Sequence, residues 1–495
     1  MALVRLLDVS FSYCDAAPLL SNLDLQFGTG WTGIVGANGA GKTTLLKLIA
    51  RQIMPERGLV TYEPADLVMR ACAQTSEVLT AEMEQFGAAA DGNSRRICGE
   101  LRLDKGALAR WPTLSPGERR RWQIGAALAA NPDLLILDEP ADHLDAEASK
   151  LMNYALHEFR GVGLIVSHDR ALLDALVGRV VRVFEGGARL YRGNYSIGQV
   201  AWEAEEREQQ KSHDRLREAQ RRVRRRIADQ RRALGRAISR KSRENRKRGL
   251  FDHQVGAPAR TIGGRKARDI TTLRRVDDRI AGALSEFEFR KAPGRAVSFD
   301  FEPSRNPRML ALEAAELLAG DRVVLRDVHL SLDRESRVWL CGPNGSGKTT
   351  LVKALLSNPR VPVERVLYLP QELRPEQCAA LLATVRILDP ESRDRVLTVA
   401  AALGAELDQL LESRIPSPGE ARKLALADGL SRRVWALVLD EPTNHLDLPA
   451  IERIEQALAS YRGALLIVTH DETLARKTAS TRWRLERGRI EIRSL

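Results

Sequence analysis

A glycine-rich turn near the start of the chain reads Gly36-Ala37-Asn38-Gly39-Ala40-Gly41-Lys42-Thr43. It follows the apolar run Trp31–Val35 and precedes the helix-like run Thr44–Ala50, which is the strand–loop–helix context of a phosphate-binding loop. Glycines let backbone N–H groups and the helix N-terminus approach phosphate oxygens, while Lys42 neutralises the outer phosphates and the Thr43 hydroxyl ligates Mg²⁺. The turn therefore predicts a nucleotide-binding α/β domain.

An apolar strand that ends in two acids supplies a second part of this site. The run Leu134–Leu137 is followed by Asp138 and Glu139, and acids at the end of a buried strand are costly unless they have a role. We expect Asp138 to hold Mg²⁺ through water and Glu139 to orient or deprotonate the attacking water. A further buried strand, Leu164–Ser167, leads into His168.

The same patterns recur in the second half, at Gly342–Thr349, Leu437–Pro442 and Leu466–Asp471. The lysine of the turn and the first acid are 96 residues apart in the first half and 92 in the second, whereas the second acid and the histidine are 29 apart in both. Because the spacing varies only where a loop should lie, the halves are predicted to be homologous domains. The corresponding residues are Lys348, Thr349, Asp440, Glu441 and His470.

Each half also carries a Ser-Pro-Gly-Glu run, at 115–118 and at 417–420, which precedes a helical stretch rich in basic residues. By itself this is an ordinary helix start, with Pro suited to the first turn. Together with the turn, the acidic strand and the histidine, it resembles the signature of ATP-binding cassette ATPases. The resemblance covers roughly residues 1–195 and 308–495 and implies an α/β fold of two tandem cassettes.

The resemblance implies ATP and Mg²⁺ as ligands and assigns residues to them. The residues expected to bind ATP are Tyr13, Gly36, Asn38, Gly39, Gly41, Lys42, Thr43, Thr44, Gln74, Ser115, Gly117, Asp138, Gly342, Asn344, Gly345, Gly347, Lys348, Thr349, Thr350, Gln371, Ser417, Gly419 and Asp440. The residues expected around Mg²⁺ are Thr43, Gln74, Asp138, Thr349, Gln371 and Asp440. The expected catalytic residues are Glu139, Glu441, His168 and His470.

In that family two cassettes close head to tail, so each ATP lies between the turn of one and the signature of the other. Residues 142–145 and 444–447 resemble the D-loops that cross this interface. Both cassettes lie in one chain, so the closed dimer is expected to be intramolecular and the chain monomeric. ATP would favour closure and hydrolysis would release it.

Two departures from the family pattern predict two competent but unequal sites. The counterpart of the adenine-stacking Tyr13 falls near Leu318, which has no ring. Both signatures have Pro where the family usually has Gly, and the second begins with Pro416 instead of Leu. Neither change removes the serine or the phosphate-facing glycine.

The middle of the chain is strongly basic. Residues 203–295 contain 28 Lys plus Arg against 14 Asp plus Glu, and the segment Arg221–Arg248 has only Asp229 and Glu244 as acids. Apolar residues follow two helical stripes, one from Leu216 to Ile238 and one from Ile270 to Phe287, separated by the turn-rich segment 249–264. This pattern predicts a long antiparallel helical hairpin. The predicted domains are residues 1–198, 199–300 and 301–495.

Three interpretations of this hairpin are open. A run of charge is typical of a solvated coiled-coil spacer, but spacers usually alternate the sign of their charges. A polyanion-binding element is the second, and charge alone does not separate RNA from DNA, so an ATPase that acts on structured DNA stays possible. The third is that the hairpin merely links the cassettes of a transporter's ATPase subunit, but a short, neutral linker would then be expected.

The run Tyr191–Ser196 resembles the segment that leads into the linker of the F subfamily, which lacks membrane domains. That resemblance implies a ribosome-binding factor whose hairpin enters the exit (E) site, contacts 23S rRNA and tRNA, and acts on the peptidyl-transferase centre, either in general translation or in resistance to ribosome-targeting antibiotics. The residues expected to contact RNA are Arg221, Arg222, Arg224, Arg225, Arg226, Arg246, Lys247 and Arg248.

The composition of the chain excludes several other classes of protein. Aromatic residues make up 5% of the chain, which argues against a broad base-stacking platform. The five cysteines lie singly, without the short Cys-x-x-Cys pair of a zinc or iron–sulfur site, and are expected to be reduced. No apolar run reaches the ~18 residues of a membrane span, so a cytoplasmic protein is expected.

Overall fold

The computed structural model describes residues 2–13, 18–73, 78–142, 144–184, 186–247, 258–286 and 303–495. Within these ranges, side chains are described except at 146, 237, 238, 240–247, 258–268, 286 and 409. The chain forms two compact units, one made of Met1–Gly198 with Pro293–Leu495 and the other of Gln199–Ala292. The two repeated halves therefore share the first unit, and the basic middle stretch forms the second.

The first half alternates strands and helices. Its strands are β1 (Leu3–Phe11), β2 (Leu20–Gly28), β3 (Gly30–Val35), β4 (Arg57–Glu63), β5 (Met69–Cys72), β6 (Leu134–Asp138), β7 (Val162–Val166), β8 (Arg179–Phe184) and β9 (Gly187–Arg192). Its helices are α1 (Lys42–Ile49), α2 (Ala81–Ala88), α3 (Gly92–Glu100), α4 (Pro116–Ala129), α5 (Ala146–His157) and α6 (Arg170–Leu176), and a 3-10 segment spans Lys105–Thr113.

Two long helices form the middle of the chain, α7 (Tyr195–Lys247) and α8 (Pro258–Glu286). The second half repeats the alternation. Its strands are β10 (Arg308–Ala319), β11 (Arg322–Asp333), β12 (Arg337–Cys341), β13 (Val366–Leu369), β14 (Ala436–Asp440), β15 (Ala464–Val468), β16 (Thr481–Glu486) and β17 (Arg489–Ser494). Its helices are α9 (Lys348–Leu356), α10 (Pro375–Ile387), α11 (Pro390–Ala402), α12 (Leu407–Glu412), α13 (Pro418–Ser431), α14 (Leu448–Ser460) and α15 (Glu472–Thr478), with a 3-10 segment at Val363–Arg365.

The two halves build the same central sheet. Its strand order is β5-β6-β7-β3-β8-β9 in the first half and β13-β14-β15-β12-β16-β17 in the second, parallel except for the last strand of each. An antiparallel sheet packs beside each, with the order β2-β1-β4 in the first half and β10-β11 in the second. The α/β class with two tandem cassettes, which the family resemblance implied, is confirmed.

The apolar runs of the central strands explain why these sheets are interior. Every residue of β7 and β15 is buried, as expected for parallel strands covered by helices on both faces. In the first half, buried residues of β3, β6 and β7 form one core with Leu45 and Ile49 of α1. Parallel strands bring their carboxyl ends to one edge of the sheet, so the residues that follow β3, β6 and β7 meet there.

The second unit contains the predicted helical hairpin. Ile227 of α7 and Ile270 of α8, one from each predicted stripe, are buried, and Arg224 Nε donates to both carboxylate oxygens of Asp277 at 3.2 Å. The predicted turn at 249–264 is wrong in its second part, because α8 already begins at Pro258. Proline suits the first helical turn since it needs no N–H partner there. Residues 248–257 lie outside the described part of the chain.

Candidate functional site

The first glycine-rich turn joins β3 to α1 at the carboxyl edge of the sheet. Gly41 precedes α1 with φ 99° and provides no side-chain cap, so the first N–H groups of the helix stay available for an anion. Gly36 has φ 151°, and a Cβ there would lie 2.2 Å from the carbonyl oxygen of Val183. Lys42 Nζ donates to the carbonyl oxygens of Gly36 and Ala37, each at 2.9 Å. The turn is thus shaped as a phosphate cradle closed by its own lysine.

The second turn has the same construction. Gly347 precedes α9 with φ 95° and no side-chain cap, and Lys348 Nζ donates to Gly342 O at 2.8 Å and to Pro343 O at 3.1 Å. Burial lowers the pKa of both lysines, and in each case the facing acids act in the opposite direction without reversing the shift. A bound phosphate would replace the carbonyl partners and favour the charged lysine.

The first acid of each acidic strand faces the hydroxyl of the neighbouring turn. Thr43 Oγ1 donates to Asp138 Oδ2 at 3.3 Å, and Thr349 Oγ1 donates to Asp440 Oδ2 at 3.0 Å. Burial raises the pKa of both aspartates, an effect that a nearby cation would oppose. A hydroxyl and a carboxylate oxygen at this distance could hold part of the oxygen shell that Mg²⁺ prefers.

Within the described residues, no three His, Cys, Asp or Glu side chains gather as a metal site. Among the described residues, none donates a hydrogen bond of good geometry to the buried Oε1 atoms of Glu139 and Glu441, although these lie 3.1 and 3.5 Å from a histidine Nε2. Unpaired buried polar atoms at a site are costly unless a ligand or water completes them.

Glu139 and His168 form a buried pair at the ends of β6 and β7. Glu139 has φ 47°, and its Oε2 accepts from the backbone N–H of His168 at 3.0 Å, while Oε1 lies 3.1 Å from His168 Nε2. Burial, followed by the charge of Asp142, raises the pKa of Glu139 to about 8. Burial, followed by the charge of Lys42, lowers the pKa of His168 to about 3. Burial thus disfavours the charged form of both side chains.

The second site repeats this pair with a looser contact. Glu441 also has φ 47°, and its Oε1 lies 3.5 Å from His470 Nε2. Burial, followed by the charge of Asp440, raises the pKa of Glu441 to about 8, and burial and Lys348 lower the pKa of His470 to about 4. A carboxyl group with a pKa near the working pH suits general base catalysis.

The signature serines both act as helix caps. Ser115 Oγ accepts from Glu118 N–H at 3.2 Å at the start of α4, and Ser417 Oγ accepts from Glu420 N–H at 3.2 Å at the start of α13. An open cavity of about 1920 Å³ lies between the cassettes. Ser115 and Gly117 of the first cassette line this cavity together with Asn344, Gly345, Gly347, Lys348, Thr349, Thr350, Gln371, Asp440, Glu441 and His470 of the second. The first signature and the second turn thus share one space.

The other signature reaches the first turn through the D-loop of its own cassette. A Cβ on Gly419 would lie 2.7 Å from the carbonyl oxygen of His445, and that oxygen accepts from Asn38 Nδ2 at 3.5 Å. Asp447 Oδ2 accepts from the Asn38 N–H at 2.7 Å, while its Oδ1 caps α14 by accepting from Ala450 N–H at 2.9 Å. The second D-loop therefore crosses to the first turn, as its resemblance implied.

The structure describes only some of the remaining residues that were predicted to bind ATP or RNA. Tyr13 is exposed, and its hydroxyl lies 3.2 Å from Thr44 Oγ1, so the ring stands beside the start of α1. Its counterpart Leu318 is also exposed. Gln74 lies outside the described residues, as does Arg248, and the side chains of 246 and 247 are likewise not described.

Two buried arginines were missed by the sequence reasoning. Arg120 donates through Nη1 to Ala73 O and through Nη2 to Asp138 O. In the second cassette Arg422 donates to Glu441 O at 2.9 Å and to Gln371 O. Each arginine thus joins the signature helix to the acidic strand. Their signal was available, since both stand five residues after the signature serine.

Comparison with known proteins agrees with this geometry. A family model described as ABC transporter matches residues 20–142 and 325–444, which include both turns, both signatures and both acidic strands. The tylosin resistance ATP-binding protein TlrC of Streptomyces fradiae is 31% identical over 96% of this chain and 96% of its own length. The ribosome protection protein VmlR of Bacillus subtilis is 28% identical over 93% of this chain and 82% of its own.

A solved structure shares the fold. The RNase-L inhibitor superposes with a TM-score of 0.59 at 19% identity, covering 98% of this chain and 89% of that one. Within the described ranges, no helix has both the length and the apolar character needed to cross a bilayer.

Proposed function

This chain belongs to the F subfamily of the ATP-binding cassette proteins and is an ATPase, and we propose that it acts on the ribosome. In this proposal the basic hairpin enters the exit site and contacts tRNA and 23S rRNA near the peptidyl-transferase centre. Its place of action is the cytoplasm, and the benefit to the cell is resistance to an antibiotic that targets the ribosome. The domains are those predicted at 1–198, 199–300 and 301–495.

The observation that carries the proposal is the near full-length similarity to a ribosome protection protein and to a tylosin resistance protein. The matches span 93% and 96% of this chain, from the first cassette through the second. The basic hairpin lies within the matched span.

The exposed face of α7 supports a nucleic acid as the partner. Arg221, Arg225 and Arg226 are exposed, and among the described residues no carboxylate pairs with them. Arg222 differs, because its Nη2 lies 2.5 Å from Glu218, and Arg224 is held by Asp277. Three unpaired arginines within two turns repel one another unless phosphates lie between them.

The chain's own residues would perform hydrolysis in a closed arrangement of the cassettes. The glycine-rich turns hold the phosphates, and Lys42 and Lys348 neutralise them. Glu139 and Glu441 accept the proton of the attacking water, each oriented by its neighbouring histidine. When bound, Mg²⁺ neutralises the charge between the outer phosphates, and the Thr43–Asp138 pair and its copy would hold it. The signature serine and glycine of the opposite cassette complete each site.

The proposal is tested with the variant Glu139→Gln/Glu441→Gln, in which neither site has its base. Hydrolysis should fall by about 10²–10⁴-fold, so that the ATP-bound closed form accumulates. Co-sedimentation with ribosomes should then increase in ATP over an ADP control. Equal recovery with ATP and ADP would contradict a nucleotide-controlled ribosome factor. Recovery on duplex DNA in preference to ribosomes would favour the structured-DNA alternative.

A further inference from the structure

A buried cluster of charges joins the two cassettes on one side of their interface. Arg170 Nη2 lies 2.7 Å from Glu455 Oε2 and 3.0 Å from Asp471 Oδ2. The side chains of Arg170 and Glu455 are both 8% exposed, so these charges are removed from water. Lys477 completes the cluster with an ion pair to Glu455. Such a set is costly to build and is stable only while its members are paired.

Two members of the cluster closely follow the histidines in the sequence. Arg170 is two residues after His168 and begins α6, and Asp471 immediately follows His470. The two carboxylate oxygens of Asp471 have different partners. Its Oδ1 caps α15 by accepting from the N–H groups of Thr473 at 2.8 Å and Leu474 at 3.0 Å. Its Oδ2 accepts from Arg170. One guanidinium therefore connects the segment after the first histidine to the segment after the second.

Without Arg170 this contact would bring like charges together. Asp169 caps α6 by accepting from Leu172 N–H at 3.0 Å, and it lies close enough to Asp471 for the two to interact. Burial, then that opposite aspartate, raises the pKa of Asp169. Burial alone would lower the pKa of Arg170, but Asp471 and Glu455 outweigh it and keep the guanidinium charged. Arg170 thus supplies the positive charge that lets the two acidic caps approach.

The internal repeat does not duplicate this cluster. By the common spacing, the position equivalent to Arg170 in the second cassette is Glu472, and the position equivalent to Glu455 in the first is Asn153. Glu472 is exposed, and among the described residues its ion pair is with Arg476 of its own helix, at 3.5 Å. The cluster therefore gives the interface an asymmetry that the ATP-site motifs do not have.

We infer that Arg170 is a positioning residue, which ties the two histidine segments together across the interface so that both ATP sites close as one unit. In this role Arg170 acts through the segments that carry His168 and His470. Its loss should slow turnover without weakening the binding of nucleotide to an open cassette.

The test compares Arg170→Gln with Arg170→Lys in the full chain, without ribosomes, so that its outcome is independent of the proposed ribosomal role. Steady-state hydrolysis gives kcat, the equilibrium affinity for a fluorescent ADP analogue reports the open sites, and thermal unfolding reports folding. Arg96→Gln is the matched control, since Arg96 pairs with Glu100 at 2.7 Å on the exposed side of α3. It removes an arginine ion pair within one cassette.

We expect Arg170→Gln to lower kcat by at least about tenfold, because it leaves buried acids unpaired at the interface. ADP affinity should stay that of the wild type, whereas the midpoint of unfolding should fall while the transition stays cooperative, because two buried acids lose their partner. Arg170→Lys should recover most of kcat, since one ammonium can replace the single Nη2 that serves both acids. Arg96→Gln should leave kcat unchanged.

An unchanged kcat in Arg170→Gln would overturn the inference. So would an equal loss of kcat and ADP affinity, which would show damage to a site instead of to its alignment. If Arg170→Gln does not fold, the lysine variant decides: a folded Arg170→Lys protein with kcat lowered tenfold would refute the role of the positive charge.

Discussion

Removal of the three unpaired arginines of α7 gives the sharpest test of the hairpin as the nucleic-acid interface. The variant Arg221→Gln/Arg225→Gln/Arg226→Gln takes away exposed side chains that have no carboxylate partner among the described residues. Each phosphate contact contributes about 0.7 to 0.9 to the slope of log affinity against log salt. The magnitude of that slope should therefore be smaller by about 2 to 2.7 in the triple variant than in the wild type.

Between 50 and 200 mM salt, such a change means that the wild type loses roughly 20- to 40-fold more affinity than the variant. The assay is co-sedimentation with ribosomes in ATP across a salt series, with ATP hydrolysis measured without ribosomes at each salt concentration. Hydrolysis should be unchanged, because none of the three side chains belongs to the ATP sites. A hairpin that served only as a spacer would show no change in slope.

The matched control removes the same charge from arginines that are already paired. The variant Arg96→Gln/Arg326→Gln/Arg395→Gln changes the net charge equally, but each side chain lies outside α7 and has a carboxylate partner, at 2.7 Å for Arg96, 3.3 Å for Arg326 and 2.8 Å for Arg395. Exposed pairs of this kind contribute only about 0–1 kcal/mol each, so folding should be retained. If both triple variants reduced the salt dependence of ribosome affinity equally, the reasoning would be refuted. Binding would then depend on net charge and not on the α7 face.

Three further outcomes follow from the ATP sites. Because the pKa of Glu139 is raised to about 8 and the base must be ionised, kcat/KM for hydrolysis should rise with pH through about 8, and a profile flat between pH 6 and 9 would contradict this. Gly36→Ala places a Cβ 2.2 Å from the carbonyl oxygen of Val183 at φ 151°, so a denaturant titration should show a free energy of unfolding lower by about 1–3 kcal/mol. The loss should exceed that of Gly39→Ala, where the added Cβ meets open space. Asp447→Asn keeps one acceptor oxygen, so the side chain can cap α14 or contact the opposite turn but not both, and we expect kcat to fall while the unfolding midpoint is unchanged. Asp447→Ala removes the cap as well and should also lower the free energy of unfolding by about 1 kcal/mol.

The architecture could be predicted because its signals are local in the chain. A glycine-rich turn between a buried strand and a helix, and an apolar strand that ends in acids, need only a few consecutive residues to be recognised. Their repetition at matched spacing identified two domains, and the comparisons confirm the family. The helical stripes predicted the hairpin for the same reason, although Pro258 begins α8 earlier than the turn-rich composition suggested.

The contacts within the ATP sites were harder to predict. Arg120 and Arg422 had a positional signal but no chemical one, because an arginine after a helix start is usually solvated. The uses of Glu139 and Glu441 depend on burial, which raises their pKa to about 8, and burial belongs to the folded chain and not to the residue type. The roles of these residues in hydrolysis stay predictions that the variants above test.

The glycine-rich turns, the acidic strands and the basic hairpin are properties that this sequence determines by itself, since backbone freedom, apolar periodicity and charge act over neighbouring residues. Only the tertiary structure decides how the cassettes meet. Asp447 reaches the N–H of Asn38 across 409 residues of chain, and Arg170 finds Glu455 and Asp471 although its repeat partner is a glutamate. Those contacts depend on the packing of whole domains, and no short pattern in the chain encodes that geometry.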